Sequence, residues 1–391
     1  MIYMYILFLR IVAYLDGVPK FISFAITLGL ISYSTVKRIP FKDLATITKY
    51  NMYALFLGFV IIIHGLIFGN FFFRDFAVLI TYWIWFVFTY NYFKSKTLRE
   101  GLLYLLIVFL IYNFGNFLFF KISFANQKYA LNSILGLFNV YGFRIYFPLS
   151  TGANIFASSL ALNAVLSLYF VKISEKKFRF ILVYLFYLYM LVLADSRLIL
   201  FFTISFSMIY WFSFRVILAF IKKFWWVFTL LLIAFLYLFY GTDIFNFFKR
   251  AGEVSGRALS RVKIWSLAGK VIFEDYHLIT GYGINGFEYN MPDEVRKVFK
   301  VQWLQTSHNF FIQNIIDFGL LGLVITLYLI YYTLHKMQKL KSQIVTVLMV
   351  MILFMGITES IPTFYSTETT WFYLTLLSLI LTNEGKVNSN T

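Results

Sequence analysis

Long apolar stretches recur along the chain and are separated by shorter polar segments. A helix that crosses the hydrocarbon core of a bilayer needs roughly 20 predominantly apolar residues. The pattern therefore predicts an all-α integral membrane protein with about 12 transmembrane helices. The first stretch contains Arg10 and is expected to remain as a helix rather than to be cleaved as a signal peptide. The predicted spans are residues 2–15, 21–36, 52–70, 73–93, 101–120, 152–171, 180–195, 198–220, 225–241, 309–332, 343–358 and 370–383.

Basic side chains concentrate in every second polar segment between the predicted spans. Loops rich in lysine and arginine are retained in the cytoplasm. The alternation therefore predicts that both termini are cytoplasmic, and it supports the span count because one missed span would break it. The basic segments contain Lys37, Arg38, Lys42 and Lys49, then Lys94, Lys96 and Arg99, then Lys172, Lys176, Lys177 and Arg179, then Lys222 and Lys223, and finally Lys336, Lys339 and Lys341.

Two polar segments on the opposite, extracytoplasmic side are too long to be simple turns. They are residues 121–150 and the larger segment 242–307. Long connections inside a compact protein are uncommon and are often functional. Within the larger one, Arg257–Phe273 has the pattern of an amphipathic helix and is expected on or near the outer membrane surface. We therefore predict a single polytopic membrane domain, residues 1–391, whose site lies on the large extracytoplasmic loop.

Composition agrees with this pattern. Hydrophobic residues make up 61% of the 391 residues, charged residues 13%, and the mean hydropathy is +0.79. Soluble domains have about 25% charged residues, so this chain could not cover a compact globule with polar surface. The net charge of +17 is assigned to cytoplasmic loops rather than to a nucleic-acid partner. The absence of cysteine excludes disulfides, thiolate metal sites and a cysteine nucleophile.

Three arginines on the outer side are candidates for binding an anion. Arg197 lies at the outer end of the seventh predicted span, where an arginine is costly unless it faces protein or a polar ligand. Arg257 and Arg261 are four residues apart, so on a helix they share a face that suits phosphate oxygens. The plainer alternatives are an ion pair between Arg197 and Asp195, and a solvated basic face.

A glycine-rich turn and a histidine follow on the same side. Gly281 and Gly283 flank Tyr282, which suggests a tight turn where the backbone approaches a ligand or a helix. Their surroundings do not match a dinucleotide fingerprint. His308 precedes Asn309 where the large loop re-enters the membrane, and a histidine there can exchange protons near neutral pH. The simpler alternatives are a connecting turn and a structural histidine.

Several familiar catalytic motifs are absent from the sequence. It has no Walker loop, no HExxH, no GxSxG and no EF-hand pattern. No pair of carboxylates suits a complex of a metal with a nucleotide sugar, so we predict no metal site and no cofactor. A site on the outer side also has no access to ATP or nucleotide sugars. Its donor must be carried by the membrane and already activated.

Taken in order over roughly residues 140–330, these motifs resemble those of the O-antigen polymerase and O-antigen ligase superfamily of bacterial envelope polysaccharide assembly. The resemblance includes the usual helix count of around twelve. It rests on Asp195-Ser196-Arg197, on Arg261 with Trp265, on Gly281-Tyr282-Gly283, on Ser307-His308-Asn309, on Asp317-Phe318-Gly319-Leu320-Leu321-Gly322, and upstream on Arg144 with Gly152-Ala153-Asn154 and Ala157.

The resemblance implies a polymerase at the outer face of the bacterial inner membrane. The enzyme would join oligosaccharide repeats carried on undecaprenyl diphosphate into O-antigen or capsular polysaccharide, by metal-independent inverting glycosyl transfer. Its partners would be that lipid-linked oligosaccharide and membrane lipid, with a flippase and a chain-length regulator as further partners. The implied catalytic residues are His308 as the base, Arg261 and Arg197, and the implied substrate-binding residues are Arg257, Arg144, Trp265, Asn309, Gly281 and Gly283.

Three other functions are compatible with parts of the pattern. A ligase of the same superfamily would transfer finished polymer to lipid A core, and its motifs would be the same. A flippase or transporter of lipid-linked oligosaccharide would typically have short loops and charge clusters inside the membrane. The other membrane glycosyltransferase fold would place a catalytic carboxylate in the first outer loop, where Asp16 lies.

Overall fold

The structure is a computed structural model. The described residues are 59, 63, 85–118, 121–122, 133–136, 145–146, 153–212, 264–266, 268–269, 278–279, 281–283, 307–359, 361 and 367–387. They are almost entirely helical. The remaining described regular structure is a short antiparallel pair, β1 (Lys121–Ile122) and β2 (Ile145–Tyr146), in which Lys121 faces Tyr146.

In the part of the chain that the structure describes, eight helices follow a helical segment at 85–93. Polar or basic turns separate the helices wherever the intervening residues are described, as at 94–97, 174–176 and 341–342. The helices are α1 (Leu98–Leu118), α2 (Ser133–Gly136), α3 (Ala153–Ile173), α4 (Lys177–Leu193), α5 (Arg197–Phe212), α6 (Phe310–Leu340), α7 (Gln343–Thr358) and α8 (Thr367–Val387).

Where both ends of a predicted span are described, it coincides with a helix to within a few residues, except at the end of α6. That helix continues to Leu340, eight residues beyond the predicted end, because polar residues after Leu334 do not interrupt it. The start of span 73–93 and the end of span 198–220 lie outside the described residues. Predicted spans 2–15, 21–36 and 225–241 lie outside the described residues, as does all of 52–70 except residues 59 and 63. The total of twelve spans, the location of the termini and the sides of the loops therefore stay predictions.

Three of the described helices are long and apolar enough to cross a membrane: Leu98–Leu118, Asn154–Ile173 and Phe310–Leu340. Arg197–Phe212 and Gln343–Thr358 are shorter apolar helices. Large apolar side chains such as Phe201 and Tyr331 are mostly exposed on the outside of the bundle, at 63% and 68%. A helical bundle with an apolar exterior is the structure of a membrane protein, because lipid covers the surface that water could not.

Helix α3 lies at the centre of the bundle and packs against α1, α4, α5, α7 and α8. Its small residues Ala157, Ala161 and Ala164 are fully buried. Small side chains let neighbouring helix backbones approach closely, which is the main source of packing energy between helices in lipid. The packing of α3 brings its first residues to the same end of the bundle as the start of α6 and the end of α7.

The two ends of the bundle differ in chemistry. At one end Lys172 donates from Nζ to the backbone oxygens of Tyr210 and Trp211, at 2.9 and 3.2 Å, and Gln343 donates to the same oxygen of Tyr210. The basic turn at 174–179 lies at this end. At the opposite end are the turn between α4 and α5, the start of α6 and the turn after α7. Among the described residues, one end of the bundle is therefore basic and the other has mixed polar side chains.

Candidate functional site

The turn between α4 and α5 contains Asp195, whose φ of 52° is in the left-handed region. Asp195 is 3% exposed, and its Oδ1 accepts a hydrogen bond of 3.2 Å from the backbone nitrogen of Ile134 in α2. Arg197 begins α5 immediately afterwards and is half-buried. Asp195 therefore connects the smaller loop, residues 121–150, to the turn that carries Arg197.

The turn that precedes α6 is held by its own side chains. Asn309 is the N-cap of α6, since its side-chain oxygen accepts from the backbone nitrogen of Ile312 at 3.0 Å. Its Nδ2 donates to the backbone oxygen of Ile357 at 2.9 Å, which fastens the start of α6 to the end of α7. His308 between these contacts has φ 52°, a conformation that non-glycine residues rarely adopt. The predicted role of Asn309 in substrate binding stays a prediction.

A buried carboxylate that the sequence did not single out lies beside His308. Glu359 Oε2 is 3.1 Å from Nδ1 of His308, and Oε1 accepts from Nδ2 of Asn154 at 3.0 Å. The side chain of Glu359 is 4% exposed, whereas that of His308 is 35% exposed. Three elements therefore meet here: the start of α3, the turn before α6 and the residue that follows α7.

A signal for Glu359 was present in the sequence. The residue caps the C-terminus of α7, where the helix dipole disfavours a negative charge. An acid at the end of an apolar span needs a donor or a cation nearby. The sequence therefore contains a partner for His308 at the end of a predicted span, but the separation of 51 residues conceals the pairing.

The contact defines what each nitrogen of His308 can do. An ionised carboxylate only accepts hydrogen bonds, so a neutral His308 that donates to ionised Glu359 carries its proton on Nδ1. That tautomer leaves Nε2 as the acceptor. The arrangement suits a general base whose orientation and tautomer are held by a buried acid.

Trp265 approaches the same turn from the large loop. Its indole nitrogen donates to the backbone oxygen of Ser307 at 2.8 Å. Its neighbours Ile264 and Ala268 are buried in a small cluster with Tyr282 and Ile316. The described part of the predicted amphipathic helix therefore packs its apolar residues against protein.

The Gly281–Gly283 turn lies against a break in α6. Gly319 departs from helical geometry, with φ 66° and ψ −164°. Tyr282 N donates to Ile316 O at 2.7 Å, and Gly283 N donates to Asp317 O at 2.9 Å. A Cβ on Gly281 would lie 2.5 Å from the backbone nitrogen of Gly319. Of the two expectations for this turn, approach to a ligand or to a helix, the described contacts show approach to a helix.

The structure thus brings His308, Asn309 and Trp265 together, and places the Gly281–Gly283 turn against α6. Arg197 is the first residue of α5. Arg144, Arg257 and Arg261 lie outside the described residues, so their assignments stay predictions. Within the described part of the chain no group of three or more histidine, aspartate or glutamate residues could hold a metal ion.

Residues 180–327 match a protein-family model described as O-antigen ligase. The match begins in α4 and ends in α6, so it contains Arg197, Trp265, the glycine turn and His308. It confirms the resemblance to the O-antigen polymerase and O-antigen ligase superfamily. The match supports a function of the O-antigen polymerase or ligase type and does not distinguish between the two. No curated protein gives a significant match.

Proposed function

We propose that the protein is a polysaccharide polymerase of the bacterial inner membrane. It would transfer a growing glycan from undecaprenyl diphosphate to a hydroxyl of another lipid-linked repeat, at the outer face of that membrane. The product would be O-antigen or capsular polysaccharide. A flippase would supply the repeat, and a separate regulator would set the chain length.

The observation that carries this proposal is the contact of His308 with the buried Glu359. In the proposed reaction, Nε2 of His308 accepts the proton of the acceptor hydroxyl as its oxygen bonds to the anomeric carbon. The bond from that carbon to the diphosphate oxygen breaks with inversion, and the diphosphate keeps the electron pair. Glu359 offsets the positive charge that develops on His308. A positioned base of this kind contributes roughly 10²–10⁴-fold to a rate.

The negative charge of the leaving group gives the predicted arginines a role in the proposed reaction. A lipid diphosphate gains negative charge as the bond to the sugar breaks, and guanidinium groups bind such oxygens in a fork. We assign this role to Arg197 and Arg261, with Arg257 and Arg144 as additional contacts. This assignment needs no metal ion, since the arginines supply the positive charge.

The ligase is the second candidate, because the matching family model is described as O-antigen ligase. Both reactions break the same bond in the same donor and differ only in the acceptor. We favour the polymerase because polymerases are more numerous and more divergent, and this phenylalanine-rich chain is unusual in composition.

The test is complementation in a polysaccharide-producing strain from which the gene has been deleted. His308→Ala should abolish long-chain surface glycan at normal membrane abundance. His335→Ala is the matched control, because His335 is exposed at the basic end of the bundle and stacks on Tyr331. Single repeats on the surface glycan would support the polymerase. Polymer that stays on undecaprenyl diphosphate would show a ligase, and normal ladders from His308→Ala would disprove the assignment.

A further inference from the structure

Gln313 is a buried side chain whose two polar atoms connect separate parts of the site. It lies on α6 and is 1% exposed. Its Oε1 accepts from the backbone nitrogen of Ser307 at 2.9 Å, and its Nε2 donates to Oδ1 of Asp317 at 2.9 Å. The residue before His308 is therefore joined to an acid one turn deeper in the helix.

Residues of the large loop donate hydrogen bonds to the residues at both ends of this connection, Ser307 and Asp317. Trp265 donates from its indole to Ser307 O at 2.8 Å, and Gly283 donates from its backbone to Asp317 O at 2.9 Å. Gln313 thus lies between two contacts of the large loop. Trp265 contacts the turn before α6, and Gly283 contacts α6 close to its break at Gly319. The backbone of Gln313 keeps its own helical bond to Asn309 O at 2.9 Å, so the helix itself does not need this side chain.

The left-handed conformation of His308 needs support from the residues on either side of it. A non-glycine residue persists at φ 52° only when the surrounding contacts determine it. The cap formed by Asn309 holds the residue after His308. The bond from Gln313 to Ser307 holds the residue before it. Together these contacts set the direction in which the imidazole leaves the backbone.

We propose that Gln313 is a positioning residue for His308. Its side chain fixes the position of the Ser307–His308 turn relative to the part of α6 that the Gly281–Gly283 turn contacts. This inference rests on the proposed function, because it assumes that the position of His308 matters for transfer. Misplacement of a catalytic group by about 1 Å can cost about 100-fold in rate.

The test uses purified protein and lipid-linked oligosaccharide extracted from the deletion strain. Gln313→Glu keeps an acceptor for Ser307 N but sets two carboxylates side by side, and it should lower kcat by about 10- to 100-fold with little change in KM. Asp317→Asn keeps an acceptor for Gln313 and should have a small effect. The double variant restores a donor, now on residue 317, and should recover kcat to within about 3-fold of wild type.

Thr326→Val is the matched control, because it removes a buried hydrogen bond of α6 that runs to Asn314 rather than to Ser307. The Tm and membrane abundance of each variant are measured alongside kcat. Recovery of kcat in the double variant, with a Tm of the Gln313→Glu variant equal to that of wild type, supports the positioning role, because the loss of rate is then not a loss of folding. A wild-type kcat for Gln313→Glu, or a double variant no better than the single one, would overturn it. His308→Ala is assayed alongside. Full activity of that variant would instead disprove the proposed function, whatever the Gln313 variants do.

Discussion

Glu359 and His308 are 51 residues apart in sequence, and their side chains lie 3.1 Å from each other. The carboxylate is 4% exposed and also accepts a hydrogen bond from Asn154. A buried acid with two donors is costly to assemble unless both donors are held in place. Here the packing of the helices holds both donors in place. Asn154 lies in α3, His308 lies in the turn before α6, and Glu359 directly follows α7. The relationship leads to specific predictions about the site.

Glu359→Gln should lower the rate of glycan transfer by roughly 10²-fold or more, because an amide neither selects the Nδ1–H tautomer nor offsets positive charge on the ring. The measurement is kcat with extracted lipid-linked oligosaccharide. Glu368→Gln is the control. Glu368 is equally buried and accepts from Oη of Tyr112 at 2.9 Å, a bond that an amide oxygen can also accept. Equal losses in both variants would contradict the prediction.

Asn154 should matter through Glu359. Asn154→Ala removes one donor to the carboxylate, which is worth roughly 1.5–3 kcal/mol when the acceptor is charged. Asn154→Asp should be worse, because it replaces that donor with a second negative charge 3.0 Å from Glu359 Oε1. The order of activity, wild type above Asn154→Ala above Asn154→Asp, can be checked in the same transfer assay. The reverse order of the two variants would refute the role given to Asn154.

Gly281 and Gly283 form a matched pair for a stability test. Both have positive φ, 74° and 87°, so alanine at either position costs about 1–2 kcal/mol in backbone strain. At Gly281 the added Cβ would also lie 2.5 Å from backbone atoms of Phe318 and Gly319, whereas at Gly283 nothing lies within 4 Å. Gly281→Ala should therefore lower the Tm of the detergent-solubilised protein well below that of Gly283→Ala. Equal Tm values would mean that the turn does not lie against α6.

The orientation of the bundle can be tested because the chain has no cysteine. Ser266 and Lys176 are exposed, the first in the large loop and the second in the basic turn between α3 and α4. In intact cells, a sulfonated maleimide that does not cross the inner membrane should label Ser266→Cys but not Lys176→Cys. Permeabilised cells should show labelling of both. The opposite pattern in intact cells would invert the predicted topology and move the site to the cytoplasm.

Much of the helical framework could be predicted from the sequence, because the signal for a spanning helix is local. A run of apolar residues must satisfy its own backbone hydrogen bonds inside lipid, and the helix does so within one segment. The spans at 343–358 and 152–171 therefore agree closely with α7 and α3. The end of α6 at Leu340 was missed because the helix continues past the apolar run into polar residues.

The site was predictable only in part. His308 and Trp265 are predictable because they belong to short motifs. The glycine turn is predictable because the two positive-φ positions on either side of Tyr282 favour glycine. Glu359, Asn154 as its partner, and Gln313 were not identified as a group. Each is an ordinary polar residue in its own segment. The pairing of Glu359 with Asn154 and His308 appears only when helices pack side by side, and the role of Gln313 depends on the conformation of the turn before α6.

The sequence by itself determined the helical class, the membrane environment, the alternation of basic loops and the family motifs, since each follows from local composition or spacing. The tertiary structure decided which polar side chains meet. It paired Glu359 with His308 and placed Gly281 against the break at Gly319. The physical reason is that helix packing in lipid depends on close contact between surfaces far apart in sequence, and no local pattern specifies which surfaces will touch.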